Sequence, residues 1–280
     1  MTMAGVVELL RGKPRHPIGA DGRMALSDHL RELRARIIKA TLFLIVAFVV
    51  ALFFYSELLE IVAKPYHRGV EMLNGKVDTQ LTVNGITGGL LLQMKLCGVA
   101  AVIVSSPYWL YQIWAFILPG LHPQEKKWSR VFAAVAGPLF LGGVALGYYI
   151  MPKTMQVLIN FTPSGSVNLV DFATAFTFIT RMLLVFGLAM EIPLFVVMLN
   201  LAGVLSGKAI GRARPWIVIG TFVFAAVATP STDPFSMLML AAPMLVLFAL
   251  SEVISRSIDR IRGRRTSGTD QWADDQVSPL

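Results

Sequence analysis

Six apolar stretches dominate the chain, and several are long enough to cross the hydrocarbon core of a bilayer. Hydrophobic residues make up 55% of the 280 residues, charged residues make up 15%, and the mean hydropathy is +0.64. Soluble domains are about one quarter charged. A core of about 30 Å needs about 20 helical residues, and lipid cannot pair with an open backbone group. The sequence therefore predicts an all-α polytopic membrane protein.

Six membrane spans are predicted from these stretches. The second contains Lys95, the fourth contains Arg181 and Glu191, and Pro152 should end the third. We expect the two cations to extend to the nearer interface or to pair within the structure. The fifth and sixth spans are short, which implies a locally thin bilayer or shelter by neighbouring helices. The spans cover residues 38–58, 87–116, 131–150, 172–203, 216–229 and 235–254.

Positive charges predict the orientation of these spans. Of the 25 lysines and arginines, nineteen lie on the side that holds both termini. Four lie in the opposite loops, and the remaining two lie in the spans. Because lysine and arginine accumulate in cytoplasmic loops, both termini are predicted to be cytoplasmic. The same bias accounts for the net charge of +8, so this charge gives little support to nucleic-acid binding.

Three segments are expected along the chain. Residues 1–24 form a poorly ordered N-terminal extension, residues 25–255 form the membrane domain, and residues 256–280 form a disordered cytoplasmic tail. The single cysteine, Cys97, excludes an intrachain disulfide and a cysteine-based metal cage. We therefore expect no metal and no cofactor.

Two glutamates lie in regions that the charge bias assigns to the cytoplasm. Residues 26–37 show an amphipathic helical pattern, predicted to lie on the membrane surface and to lead into the first span. Glu32 in this segment can pair with Arg36, a contact worth roughly a few tenths of a kcal/mol. Glu125 precedes a predicted helix, whose N-terminus favours a carboxylate. The residues alone thus allow a purely structural interpretation of both glutamates.

Glu191 lies near the middle of the fourth apolar stretch. Contact with lipid would cost a carboxylate several kcal/mol, so its side chain should face protein or a water-filled recess. Pro193 should bend the helix locally and leave backbone carbonyl groups without partners. We hypothesise a neutral or hydrogen-bonded Glu191 that docks a polar residue of a partner helix.

Four motifs occur in order along the chain. They lie at residues 29–36 (HLRELRAR), 116–125 (FILPGLHPQE), 186–193 (FGLAMEIP) and 229–236 (TPSTDPFS). Each motif alone is weak, but together the set resembles the TatC family, the polytopic core of the twin-arginine protein translocase. The resemblance covers residues 26 to about 255. It implies a glove-shaped bundle of six helices in the cytoplasmic membrane.

The resemblance also implies a recognition site. In that family the amino-terminal helix and the first cytoplasmic loop receive the paired arginines of a folded cargo's signal peptide. Glu32 and Glu125 are the matching acceptors, because a carboxylate can accept the guanidinium fork through both oxygens. The sequence leaves the distance between these two glutamates open. The other residues assigned to recognition are Arg34, Phe116, Pro119 and Leu121.

Partners follow from the same resemblance. Glu191 and Pro193 match a buried acidic site in a concave pocket, and family members bind the single-span proteins TatA and TatB. Transport in the family draws on the proton-motive force, and a homo-oligomer is expected within the receptor complex. Pro65 and Asp233 match further family positions. Asp233 has an equally good interpretation as the N-cap of the sixth span.

Two other classes of protein were weighed against a translocase receptor. An intramembrane protease would need Ser-His or Asp-Asp pairs within the spans, but all four histidines lie outside them. A proton-coupled carrier could use Arg181 and Glu191, but the spans show no internal repeat that would support it. The sequence therefore predicts a receptor and not an enzyme.

Overall fold

The computed structural model describes residues 26–75, 77, 79–82, 85–117, 126–163, 166–230 and 233–266. Helices dominate this part of the chain, and two short strands accompany them. The helices are α1 (Leu26–Phe53), α2 (Tyr55–Glu71), α3 (Gly88–Val104), α4 (Ser106–Ile117), α5 (Lys126–Asn160), α6 (Phe172–Leu201), α7 (Gly207–Arg212), α8 (Arg214–Ala228) and α9 (Pro234–Thr266), and the strands are β1 (Thr79–Thr82) and β2 (Asn168–Asp171).

Helix α1 is continuous over its whole length. The prediction that residues 26–37 are helical and lead into the first span agrees with the structure, in which they form the first turns of the helix that carries the first apolar stretch. Their location on the membrane surface stays a prediction. Between Leu26 and Phe53 there is no glycine or proline, so nothing in the sequence favours a break. The polar residues of these first turns therefore lie on the same continuous helix as the first span.

The second apolar stretch is divided at Ser105, between α3 and α4. The two helices meet at an angle of 57°. Pro107 has no N–H group, so the helical hydrogen bond to the carbonyl of Ile103 cannot form. Two residues later, the indole N–H of Trp109 donates to the carbonyl oxygen of Val102 at 2.9 Å. The prediction of a single span over residues 87–116 did not include this break.

Helix α5 passes through both Pro138 and Pro152 and ends at Asn160. The prediction that Pro152 ends the third span is therefore wrong. Helix α2 packs closely against this part of α5, since a Cβ at Gly69 would lie 2.9 Å from the carbonyl oxygen of Pro152 and 2.6 Å from Cβ of Met155. Tertiary packing thus supports the helix beyond the proline.

A two-stranded parallel ladder joins the two long loops. Strand β1 pairs with β2 over four residues each, in a register that places Thr79 opposite Asn168 and Thr82 opposite Asp171. The sequence analysis assigned no strand to either loop. The pairing brings together segments almost 90 positions apart, so no local pattern could have indicated it.

Helix α6 is the central element of the core. Half of the residues in the apolar 18-residue segment of α6 are buried in the described structure. In the corresponding segment of α1, at the periphery, only 6% are buried. It contacts α2, α3, α5 and α9, and the buried side chains of Phe176, Ile179, Met182 and Phe186 fill the space between them. Glu191 is therefore carried by the best-packed helix of the described structure.

Four described helices are long and apolar enough to cross a membrane, and a fifth span is added if α3 and α4 count as one. Helix α8 is also apolar but has only 15 residues. A count of six spans therefore requires this short helix to cross as well. Helix α9 continues to Thr266, so the helical domain extends beyond the boundary predicted at residue 255. The predicted extension at 1–24 and the end of the tail, 267–280, lie outside the described residues.

Candidate functional site

The first turns of α1 contact the last turns of α4, and we call this contact the α1–α4 junction, formed by His29, Glu32, Arg36, Gln112 and Phe116. Arg36 donates from Nε to Oε1 of Glu32 at 2.9 Å and from Nη2 to the same oxygen at 2.5 Å. Its remaining terminal nitrogen, Nη1, donates to Oε1 of Gln112 at 3.3 Å. The pair between Glu32 and Arg36 expected from helical spacing is thus present, and Gln112 extends it to a second helix.

Ring stacking strengthens the same junction. The rings of His29 and Phe116 are stacked, with centroids 4.4 Å apart and planes inclined by 15°. Phe116 lies one residue before the end of α4, after which the chain enters the loop at residues 118–125. The structure therefore places Glu32 on a helix that contacts the last turn of α4, just before residues 118–125.

Three of the residues assigned to recognition, Glu125, Pro119 and Leu121, lie in that loop and outside the described residues. Glu125 directly precedes α5, and α5 packs against α4. Of the recognition residues, Glu32 and Phe116 therefore both lie at the α1–α4 junction. Arg34 is exposed on the surface of α1.

Glu191 lies within α6, and its carboxyl group is enclosed. Both carboxyl oxygens are buried and have no hydrogen-bond partner among the described residues. The indole of Trp114 approaches the carboxyl group. The same ring packs against Phe195, with centroids 6.1 Å apart. A buried acid without a partner is costly, which makes Glu191 a candidate functional residue.

Pro193 lies inside α6 and is itself fully buried. The hydroxyl of Ser251 on α9 donates to the carbonyl oxygen of Pro193 at 3.0 Å. This contact ties α9 to α6 at a position two residues from Glu191. The carbonyl that Pro193 leaves without its helical donor is that of Ala189, four residues earlier, so this contact does not compensate for the proline.

Close packing of α5 on α6 fixes the position of this acidic residue. A Cβ at Gly143 would lie 2.6 Å from the carbonyl oxygen of Phe186 and 2.8 Å from Cγ of Met190. A Cβ at Gly187 would lie 2.8 Å from the ring of Phe140. Small residues at both positions allow the backbones to approach, as in other membrane helix pairs.

Asp233 and Pro65 have structural contacts that explain their presence. The Oδ1 atom of Asp233 accepts a hydrogen bond from the backbone N–H of Ser236 at 2.6 Å, at the start of α9. This geometry supports the N-cap interpretation of Asp233. Pro65 is fully buried inside α2, next to the buried Tyr66. It therefore contributes to the packing of α2 against the bundle.

The sequence analysis missed a polar cluster that joins α6, α7, α8 and α9. The buried carboxylate of Glu252 accepts from Nε and Nη2 of Arg214 at 2.7 and 2.8 Å, and from Arg256 at 2.6 Å. Asp259 accepts from the side chain of Asn200 at 2.9 Å and from the backbone N–H of Gly207 at 2.6 Å. The spacing of Glu252 and Arg256 was a local signal, but Arg214 is 38 positions away from Glu252.

Known proteins resemble this chain over most of its length. A family described as "Sec-independent protein translocase protein (TatC)" matches residues 28–243. A Sec-independent protein translocase protein TatC of Frankia casuarinae is 40% identical over 269 residues, which cover 93% of this chain and 74% of that protein. The protein of the same name from Escherichia coli K12 is 29% identical over 232 residues, covering 82% of this chain and 88% of that protein.

Solved structures agree with these sequence relatives. The crystal structure of a twin-arginine translocase receptor, TatC, matches with a TM-score of 0.68 and 26% identity over 81% of this chain and 98% of that chain. A second, in DDM, matches with a TM-score of 0.69 and 25% identity over 81% of this chain and 99% of that chain. The predicted all-α polytopic fold and the resemblance are confirmed. The chain belongs to the TatC family of Sec-independent protein translocase proteins, which are transport components and not enzymes.

Proposed function

We propose that this chain is the core receptor subunit of a twin-arginine translocase. It binds the twin-arginine signal peptides of folded cargo proteins and supports their export, driven by the proton-motive force, across the cytoplasmic membrane. The observation that carries the proposal is the α1–α4 junction, where Glu32 lies on a helix that contacts the end of α4, just before the segment that contains Glu125. The names of the relatives and of the solved receptor structures support the same role.

The chemistry of the site fits a pair of guanidinium groups. Each arginine of the signal peptide presents a planar fork of donors, and a carboxylate is the acceptor that matches this fork. Glu32 and Glu125 supply one carboxylate for each arginine. Arg34, Phe116, Pro119 and Leu121 shape the surrounding surface, and the nearby cations repel other basic segments.

Peptide binding to the full chain tests this role. Replacing either glutamate (Glu32→Gln or Glu125→Gln) should weaken binding of a twin-arginine peptide by about 1.5–3 kcal/mol, the range for hydrogen bonds to charged groups. The loss should be much smaller for a twin-lysine peptide, which cannot form the fork. Glu57→Gln, an equal change of charge at an exposed position of α2, is the matched control. Equal losses for both peptides would show that the glutamates do not contact the arginines.

Glu191 and Pro193 form the second part of the proposal, an intramembrane site for partner helices. The enclosed carboxyl group without a hydrogen-bond partner among the described residues supports this assignment. We assign the site to single-span proteins of the TatA and TatB type, which would present a polar residue to it. Association of several copies of this chain within the receptor complex belongs to the same proposal, and Pro65 supports the assembly through the packing of α2.

Six spans with both termini in the cytoplasm complete the proposal, supported by the distribution of lysine and arginine. Accessibility of single cysteines, introduced after Cys97 is replaced, tests this topology in intact cells. Labelling from outside at Ser129 would contradict the orientation. Cysteines at Gly75 and Ser164 should label from outside, whereas cysteines at Gly22, Ser129 and Ser267 should not.

A further inference from the structure

The carboxylate of Glu32 is used asymmetrically in the α1–α4 junction. Arg36 places two donors, Nε and Nη2, on the same oxygen, Oε1. No described residue donates to the other oxygen, Oε2. Only 16% of the Glu32 side chain and 22% of the Arg36 side chain are exposed, so the pair is partly sheltered from water. One oxygen is thus held by the protein, and the other is left as an acceptor.

A pair at this spacing on a single helix is normally weak and mobile. Exposed pairs one turn apart contribute only about 0.3–0.5 kcal/mol, and the terminal torsion of a glutamate is soft. Arg36 differs because its third donor, Nη1, reaches Oε1 of Gln112 on a second helix. Gln112 is only 7% exposed and is therefore itself held by packing. The guanidinium of Arg36 is thus held by Glu32 on one side and by Gln112 on the other. Because Gln112 is fixed, the carboxylate of Glu32 is fixed as well.

The chemical nature of residue 112 matters as much as its position. An uncharged amide oxygen can hold the guanidinium of Arg36 without offering a competing carboxylate to the arginines of a ligand. Gln112 also lies on α4, five positions before the chain leaves this helix for the loop that contains Glu125. The bridge from Arg36 to Gln112 therefore links the helix of one proposed acceptor to the helix that precedes the segment containing the other.

We propose that Arg36 and Gln112 are positioning residues for twin-arginine recognition. They hold Glu32 by one oxygen, direct its other oxygen toward the ligand, and couple α1 to α4. This inference rests on the proposed function, because it assumes that Glu32 accepts a signal-peptide arginine. Neither positioning residue needs to touch the ligand.

Binding of twin-arginine and twin-lysine peptides to the full chain in nanodiscs tests the inference. Gln112→Leu removes the acceptor with little change of volume, and Arg36→Lys keeps the charge but cannot contact both partners. Each should weaken twin-arginine binding by about threefold to tenfold and change twin-lysine binding by less than about twofold. Gln156→Leu is the matched control, since it also removes a glutamine hydrogen bond, at 3.0 Å to the carbonyl of Met72, the residue that follows α2.

A double-mutant cycle separates positioning from a general structural effect. In a Glu32→Gln background, Gln112→Leu should cause no further loss of twin-arginine binding, because the residue that it positions is already disabled. A full additional loss in that background would overturn the inference. So would equal losses for the two peptides, or wild-type affinity in both Gln112→Leu and Arg36→Lys.

The same measurements distinguish failure of the inference from failure of the proposed function. If Glu32→Gln binds the twin-arginine peptide as well as the wild type does, the proposed recognition role itself is wrong. If Glu32→Gln weakens binding but Gln112→Leu and Arg36→Lys do not, the recognition role stands and the positioning role is rejected.

Discussion

Two adjacent glycines on α5 offer a direct test of the packing that holds Glu191. A Cβ at Gly143 would lie 2.6 Å from the carbonyl oxygen of Phe186 and 3.0 Å from Cα of Gly187, both on the backbone of α6. A Cβ at Gly142 would meet no atom within 4 Å. Alanine at position 143 should therefore clash with α6, whereas alanine at position 142 should be tolerated.

The size of the effect follows from the difference between the two variants. Replacing a helical glycine by alanine gains about 0.5–1 kcal/mol of helix stability, and this gain is common to both positions. Overpacking a close contact costs about 1–3 kcal/mol, and backbone atoms cannot rotate away as a side chain can. Gly143→Ala should therefore be less stable than Gly142→Ala by about 1–3 kcal/mol.

Thermal unfolding of the two detergent-solubilised variants measures this difference. We expect Gly142→Ala to melt at or above the wild-type temperature and Gly143→Ala to melt several degrees below Gly142→Ala. Crosslinking to a single-span partner through α6 should also weaken in Gly143→Ala, because the contact at Met190 adjoins Glu191. Equal melting temperatures for the two variants would refute the argument that α5 and α6 require a glycine at this contact.

Variants at three further positions test individual polar contacts. Glu191→Gln should retain substantial transport and Glu191→Ala should lose partner crosslinking; a glutamine variant as inactive as the alanine variant would show that the ionised acid is required. Asp233→Ala should lower stability by about 1 kcal/mol, and Asp233→Asn by less, since asparagine also caps helices; equal losses in thermal unfolding would contradict the cap. Glu252→Gln should lower the melting temperature, because Arg214 loses its carboxylate partner, and an unchanged melting temperature would contradict a stabilising role for this cluster.

Local chemistry was enough to predict much of this protein. Apolar stretches indicated the helical membrane fold, because lipid forces backbone groups to pair within a segment. The limits of α6 were predicted within a few residues, and N-capping by Asp233 was one of the two interpretations that the sequence offered for this residue. The pair between Glu32 and Arg36 followed from helical spacing alone. Each of these features depends on residues that are close along the chain.

Prolines show where local rules became insufficient. Pro107 coincides with a 57° break and Pro152 lies inside a continuous helix, although both residues lack the same N–H group. The difference is the surroundings: α2 packs against α5 at Pro152, with Gly69 allowing close approach. No property of a single helix distinguishes the two cases.

The tertiary structure alone decided the contacts that assemble the proposed sites. Gln112 meets Arg36 across 76 positions, Glu252 meets Arg214 across 38, and β1 pairs with β2 between separate loops. The sequence determined which side chains could pair, since charge and hydrogen-bonding capacity are properties of the residue. Which of them do pair depends on how the helices pack, because burial of apolar surface and close backbone approach set the distances between groups that are remote along the chain.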